Sequence, residues 1–129
     1  MIEIADNAAD LADTIVQNYS TEKFTFFCGN LRLDTLPSVL AQAHIHYNEV
    51  EVYRTELTPK AIPMPVDGIL FFSPSAVASF LQQNQITDQT CFCIGETTAT
   101  ALAQNTQNIV LAHKPSIENV IIQTIQFFK

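Results

Sequence analysis

Residues 66–81 read VDGILFFSPSAVASFL and contain the transition that indicates the fold. The apolar run from Ile69 to Phe72 has no polar alternation, which is typical of a strand buried on both faces of a parallel sheet. A helical pattern begins at Pro74, a residue that suits the first helical position, and Ser73 before it can cap the helix. The stretch therefore predicts a central strand, a polar turn and a helix.

The same order of strand, polar turn and helix occurs at residues 24–40 and at residues 91–103. An amphipathic helix after Asn7 or Asp6, a short strand at residues 109–112 and a last helix complete the pattern. Strands alternating with helices at this spacing predict a three-layer α/β fold, in which helices flank a parallel sheet. The turns then lie at the carboxyl ends of the strands, where open α/β sheets bind ligands.

Three segments depart from this simple pattern. Residues 31–43 form a helical pattern that contains Pro37, so we expect a short first turn and a break near Leu36. Residues 47–53 (YNEVEVY) alternate, which predicts an edge strand or an interdomain ribbon with one wet face. Residues 54–65 contain three prolines and no periodicity, which predicts a linker.

The expected core consists of the apolar strands and one face of each helix. Its predicted members are Phe26, Val39, Leu40, Ile69, Leu70, Phe71, Val77, Phe80, Leu81, Phe92, Ile94, Leu102, Val110, Ile121 and Ile125. The predicted inner face of the last helix holds Ile117, Val120, Ile121, Ile125 and Phe128. Cys91 and Cys93 alternate about Phe92, so we expect both thiols on one buried face rather than at a metal site.

The composition describes a globular protein and argues against several classes. The chain has 129 residues, of which 47% are hydrophobic, so it can bury a core, and its apolar runs are too short to cross a bilayer. A formal charge of −7 with six scattered basic residues argues against a nucleic-acid partner. Three cysteines, an odd number, and a start that lacks a secretion signal predict a cytoplasmic protein without disulfides.

Few side chains are candidates for chemistry. Three glycines are too few for a dinucleotide or Walker loop, and the three histidines lack ligand spacing, so we predict neither a nucleotide cofactor nor a metal. Hydroxyl and amide side chains remain at the predicted helix starts: Asn30, Ser73, Ser75, Thr97, Thr98 and Ser116. They can bind anions or act only as caps, and both interpretations stay open. Tyr53 ends the alternating strand, where its phenol can face a cleft or pack on a neighbouring strand.

Five motifs, in this order, resemble those of uroporphyrinogen-III synthase. They are FFCGNLRLDTLP, EVEVYRT, ILFFSPSAV, CFCIGETTATAL and AHKPSIENVI. The resemblance covers nearly all of this chain but only roughly the carboxyl-terminal half of a typical family member, and a fragment, a split gene product and a natural short form all stay open. Family enzymes have two α/β domains joined by a two-stranded ribbon. The resemblance therefore implies that residues 1–52 are the second half of the inserted domain, residues 53–65 a ribbon or linker, and residues 66–129 the main part of the other flavodoxin-like domain.

The resemblance implies a lyase of heme and porphyrin biosynthesis that cyclises hydroxymethylbilane, a linear tetrapyrrole, to uroporphyrinogen III without a cofactor. Water leaves the hydroxymethyl group, the last pyrrole ring is attacked at its substituted position, and a spiro intermediate lets that ring invert before closure. By motif match, Tyr53 assists departure of the hydroxyl. The residues matched to substrate binding are Gly29, Asn30, Ser73, Ser75, Thr97 and Thr98. Glu96 stands where the family commonly has proline, and it places a negative charge beside a turn that is expected to bind carboxylates.

A second interpretation stays open. The chain is then a non-catalytic α/β module that binds a polycarboxylate or pairs with another chain. The partner would be a second copy in a homodimer or a complementing chain, because open sheet edges recruit partners.

Overall fold

The structure is a computed structural model that describes residues 2–129. Its elements, in chain order, are α1 (Ala8–Asn18), β1 (Phe24–Gly29), α2 (Thr35–Gln42), β2 (Tyr47–Tyr53), β3 (Gly68–Phe71), α3 (Pro74–Leu81), β4 (Thr90–Cys93), α4 (Glu96–Leu102), β5 (Ile109–Leu111) and α5 (Ile117–Phe127). The chain divides into two compact units, unit 1 (Met1–Glu56) and unit 2 (Leu57–Lys129). Both contain parallel strands that are flanked by helices, which confirms the predicted α/β class.

Unit 1 is a two-stranded parallel sheet with both of its helices packed on one face. Its buried cluster contains Ala12, Ile15, Leu36, Leu40 and Ile45, and the strand residues Phe24, Phe26 and Tyr47 pack against it. Helix α1 begins after Asn7, whose side chain accepts a hydrogen bond from the backbone N–H of Asp10 at 2.9 Å. This bond confirms one of the two predicted caps.

Strand β2 is more exposed than its alternating sequence predicts. Phe27 and Val50 are register partners on the face opposite the helices, and they are 64% and 40% exposed. Val52 on the same strand is 57% exposed. Since α1 and α2 cover mainly β1 and the start of β2, only Tyr47 is partly buried, and the prediction of one dry face on β2 is wrong.

The predicted break near Leu36 is also wrong. Helix α2 is a single helix that starts at Thr35, four residues later than the predicted start, and Pro37 lies in its first turn. Backbone N–H groups in a first turn have no acceptor within the helix, so a proline there costs little. The carboxylate of Asp34 does not cap this helix; it contacts the guanidinium of Arg32 instead.

Unit 2 is a three-stranded parallel sheet in the order β3-β4-β5, with helices on both faces. One face carries the buried cluster of Phe71, Val77, Cys91, Cys93 and Leu102, which joins the sheet to α3 and α4. On the other face Phe92 contacts Phe127 and Phe128 at the end of α5, with ring centroids 5.5 and 5.9 Å apart. These two packed faces confirm the three-layer arrangement, and both thiols of β4 lie on one buried face as predicted.

The order of the strands corrects the predicted centre of the sheet. Strand β4 is central, whereas β3, the predicted central strand, pairs only with β4 among the described residues. Phe71 on β3 is nevertheless 3% exposed, because α3 and α4 cover its face. Helix α3 begins at Pro74 after the cap Ser73, as the sequence predicts.

The inner face of α5 differs from the predicted one. Val120 is buried, but Ile121 and Ile125 are 43% and 51% exposed, so their assignment to the core is wrong. Gln123 explains this orientation, because its side chain accepts a hydrogen bond from His113 N–H at 2.9 Å and donates one to the carbonyl of Leu111 at 3.1 Å. These bonds turn the side of α5 that carries Gln123 and Val120 toward the sheet. The predicted core residues that are fully buried are Leu40, Phe71, Val77, Phe92 and Leu102.

Candidate functional site

Two polar turns lie side by side at the carboxyl ends of strands β3 and β4 in unit 2. Strands β3 and β4 are parallel with Phe71 opposite Cys93, and the N–H of Ile94 donates to the carbonyl of Phe71 at 3.1 Å. The turn at Ser73, which leads into α3 and Ser75, and the turn that begins at Ile94 therefore both lie at the carboxyl ends of their strands. The carboxyl ends of the strands are where open α/β sheets bind ligands.

Ser73 and Ser75 form one hydroxyl pair at the start of α3. The Ser73 hydroxyl oxygen accepts a hydrogen bond from the N–H of Ala76 at 3.1 Å, and it lies 3.0 Å from the hydroxyl oxygen of Ser75. Ser73 is therefore an N-cap, as predicted. Both serines are partly exposed, so a ligand can reach the pair.

The two threonines that follow the second turn, Thr97 and Thr98, differ in exposure. Gly95 caps α4 with its backbone and has open space around its α-carbon, while Glu96 and Thr97 that follow it are exposed. Thr98 is only 2% exposed, and its N–H donates to the carbonyl of Gly95 at 3.1 Å. Of the pair, the Thr97 side chain is the accessible one and the Thr98 side chain is part of the packed interior.

The remaining predicted residues lie together at the end of the sheet of unit 1. Gly29 ends β1 opposite Tyr53, which ends β2, and the register shifts between Cys28 and Gly29. A β-carbon added to Gly29 would lie 2.3 Å from Cε2 and 2.5 Å from Cζ of Tyr53. The tyrosine ring thus rests on the glycine backbone while its side chain stays 63% exposed.

Asn30 contacts the backbone two residues beyond Tyr53. The N–H of Thr55 donates to Oδ1 of Asn30 at 2.6 Å, and Nδ2 of Asn30 donates to the carbonyl of Thr55 at 3.2 Å. Both polar groups of this side chain are therefore used within the protein. The sequence gives no local signal for the pair, because the two residues are 25 positions apart.

A polar hollow of about 410 Å³ lies beside this turn, and the sequence did not indicate it. Its lining residues are Cys28, Gly29, Asn30, Arg32, Glu49 and Glu51. Arg32 donates to Glu49 through Nε at 3.1 Å and through Nη2 at 2.9 Å, and it also pairs with Asp34. Hydrogen bonds to Asp34 and Glu49 raise the pKa of the Arg32 guanidinium above its ordinary value, so this cation is stably charged and already paired.

A family model described as uroporphyrinogen-III synthase HemD matches residues 1–122. The chain belongs to the uroporphyrinogen-III synthase family. Among solved structures, uroporphyrinogen-III synthetase from Helicobacter pylori 26695 is similar with a TM-score of 0.70 and 19% identity. The similarity covers 91% of this chain and 59% of that chain, and at this identity it shows the fold. No curated protein matches the chain.

Membership of the uroporphyrinogen-III synthase family confirms the resemblance carried by the five motifs. Each residue that was matched to a family role lies at the end of a strand, in the turn that follows it, or in the first turn of the next helix. They form two groups: Gly29, Asn30 and Tyr53 in unit 1, and Ser73, Ser75, Thr97 and Thr98 in unit 2. Their roles in substrate binding and catalysis remain predictions.

The two thiols of β4, Cys91 and Cys93, do not resemble reactive thiols. Desolvation by burial raises the pKa of Cys93 to about 11, with a smaller contribution from Cys91, and burial also raises the pKa of Cys91. Thiolates are the reactive and metal-binding form, so both thiols are inert at neutral pH. Within residues 2–129, no three His, Cys, Asp or Glu side chains come together in a way that could hold a metal ion. None of the helices in this range has the length and hydrophobicity needed to span a bilayer.

Proposed function

We propose that this chain takes part in the cyclisation of hydroxymethylbilane to uroporphyrinogen III with inversion of the last pyrrole ring. The observation that carries the proposal is the family match over residues 1–122. The chain spans 59% of the length of the solved relative, so the proposal concerns the residues that this chain contributes to the activity. We also propose that the protein is cytoplasmic, and that residues 1–52, 53–65 and 66–129 correspond to the inserted domain, the ribbon and the other domain of the family.

Tyr53 is the proposed catalytic residue. Loss of the substrate hydroxyl as water requires a proton on the leaving oxygen, and a phenol O–H can donate it as a general acid. The side chain is 63% exposed and rests on Gly29, so it is accessible and held on one side. The overall reaction releases water, and inversion of the last ring forms two carbon–carbon bonds and breaks one, so it needs no oxidant or reductant, and we propose that no cofactor takes part.

The substrate carboxylates are proposed to bind at the polar turns. Ser73, Ser75 and Thr97 present hydroxyl groups at helix starts, where backbone N–H groups and the helix dipole favour anions. Gly29 and Asn30 contribute the turn beside Tyr53. The buried Thr98 supports this surface from below and does not need to contact the substrate itself.

A coupled assay tests the proposal. A hydroxymethylbilane-forming enzyme supplies the substrate in situ, and chromatography of the oxidised products separates porphyrin isomers I and III. We expect isomer III in proportion to the concentration of this chain, and we expect Tyr53→Phe to reduce it. Isomer I alone at high protein concentration would mean that the chain does not catalyse the reaction without another polypeptide.

Exposed apolar surface favours the second candidate function, a non-catalytic module that pairs with another chain. Phe27, Val50 and Val52 form an apolar strip on the open face of the unit 1 sheet, and each is at least 40% exposed. Such contiguous apolar surface is typical of interaction sites. Sedimentation velocity discriminates the two: a monomer that forms isomer III supports the enzyme, whereas an inactive homodimer supports the module.

A further inference from the structure

The ladder between β1 and β2 is continued by a side chain after its backbone hydrogen bonds end. The last register pair is Gly29 and Tyr53, and beyond it the amide of Asn30 exchanges two hydrogen bonds with the backbone of Thr55, at 2.6 and 3.2 Å. A carboxamide offers the same donor and acceptor as a peptide group. We call such a pair of hydrogen bonds between an asparagine side chain and a distant backbone segment a bracket. The backbone at Tyr53 therefore lies between the strand pairing, which precedes it, and this bracket, which follows it.

We propose that Asn30 is a positioning residue, which fixes the direction of the Tyr53 phenol. Tyr53 is 63% exposed, and among residues 2–129 its hydroxyl makes no hydrogen bond, so its own side-chain contacts restrain it weakly. The restraint comes from the contact of its ring with Gly29 and from the fixed backbone at Thr55. The inference rests on the proposed function only where it concerns turnover, since the positioning itself is a property of unit 1.

The two hydrogen bonds to Thr55 fix the orientation of the Asn30 carboxamide. One N–H of Nδ2 is not used in them and can also donate to a substrate carboxylate, so the positioning role is compatible with a contact role. The positioning role predicts a change at Tyr53 in the absence of substrate, which a contact role alone would not produce.

Asn84 provides a matched control, because it forms the same kind of bracket in unit 2. Its Oδ1 accepts from the N–H of Ile62 at 2.8 Å, and its Nδ2 donates to the carbonyls of Lys60 and Phe80 at 2.8 and 2.9 Å. Asn84→Ala removes a bracket of similar chemistry from the linker without touching the segment that carries Tyr53.

The experiment uses ¹⁹F NMR of the full chain labelled with 3-fluorotyrosine, which reports on three tyrosines. The resonance of Tyr53 is assigned with Tyr53→Phe. In Asn30→Ala we expect this resonance to narrow and to move toward that of free fluorotyrosine, and we expect amide exchange at Thr55 to rise at least about tenfold. Asn84→Ala should leave both readouts unchanged. An unchanged Tyr53 resonance in Asn30→Ala would overturn the inference.

A second variant covers the case in which Asn30→Ala does not fold, and an activity measurement separates the positioning of Tyr53 from its proposed role in turnover. If Asn30→Ala does not fold, Asn30→Asp replaces it, because the carboxylate keeps the acceptor for the N–H of Thr55 and loses the donor to its carbonyl. An intermediate resonance is then expected, and a wild-type resonance overturns the inference. In the isomer III assay, Asn30→Ala should lower kcat about 10- to 100-fold with little change in KM. A shifted Tyr53 resonance with unchanged kcat upholds the positioning and overturns the proposed role of Tyr53.

Discussion

Replacing Phe71 by alanine is expected to lower the free energy of unfolding by about 3–5 kcal/mol. The ring is 3% exposed and belongs to the cluster that joins the sheet of unit 2 to α3 and α4. It also packs edge-to-face on Phe80, with ring centroids 5.5 Å apart and planes at 83°. The substitution removes the transfer free energy of a buried ring, leaves a cavity and removes an aromatic pair that contributes about 0.5–1.5 kcal/mol of that total.

Urea denaturation followed by far-UV circular dichroism measures this loss. With a denaturant dependence of about 1–3 kcal/mol per molar, the midpoint should fall by roughly 2 M. The chain has no tryptophan and its three tyrosines all lie in unit 1, so tyrosine fluorescence follows the unfolding of unit 1, and the loss caused by Phe71→Ala in unit 2 is taken from circular dichroism. Coincident transitions by the two probes would indicate that the whole chain unfolds in one step. Phe27→Ala is the matched control: that ring is 64% exposed, and its loss should change stability by no more than about 0.5 kcal/mol. A cost below about 1 kcal/mol for Phe71→Ala would refute the packing described for β3.

Three other variants test the site and its surroundings. Gly29→Ala should reduce the rate of isomer III formation about 100-fold. The new β-carbon would lie 2.3 Å from Cε2 of Tyr53 and would displace the tyrosine ring by about 1 Å. Wild-type activity in this variant would contradict the proposed role of the Tyr53 ring. Glu96→Gln should lower KM at low ionic strength by removing an exposed negative charge, and a difference that persists at about 1 M salt would exclude this electrostatic cause. Burial, with a smaller effect of Cys91, raises the pKa of Cys93 from 9.0 to about 11. The neutral Cys93 thiol therefore makes a contribution to the free energy of unfolding that is fully present below pH 9 and is lost as the pH rises toward 11. In Cys93→Ala the urea midpoint should fall less steeply between about pH 8 and pH 11 than in the wild type. Equal pH dependence of the midpoint in both proteins would contradict this role of the Cys93 thiol.

Features set by neighbouring residues were predicted well from the sequence. Asn7 and Ser73 cap their helices, and Pro74 begins α3, because a cap depends on residues within one turn of it. The strands and helices were likewise predicted to within a few residues of their observed bounds, with the start of α2 as the larger departure. Periodicity reports burial and element type, and these are local properties.

Features set by distant residues could not be predicted. Periodicity does not give the order of strands, so β3 was taken for the central strand. The helix α5 is apolar on several sides, and the stripe that faces the sheet is selected by the hydrogen bonds of Gln123 to residues 111 and 113. In the candidate site, packing determines that Thr98 is buried while the adjacent Thr97 is exposed. The bracket between Asn30 and Thr55 joins residues that are 25 positions apart in the sequence.

The two asparagine brackets also determine where the connecting segment is open to a protease. Asn30 holds Thr55, and Asn84 holds the segment at Lys60, but no backbone hydrogen bond is present at residues 56–59 in the part of the chain that the structure describes. Cleavage requires a stretch that can unfold locally. A glutamate-specific protease should therefore cut after Glu56 sooner than trypsin cuts after Lys60. Each fragment would keep its own asparagine hydrogen bonds, because Asn30 and Thr55 lie before the cut and Lys60 and Asn84 lie after it.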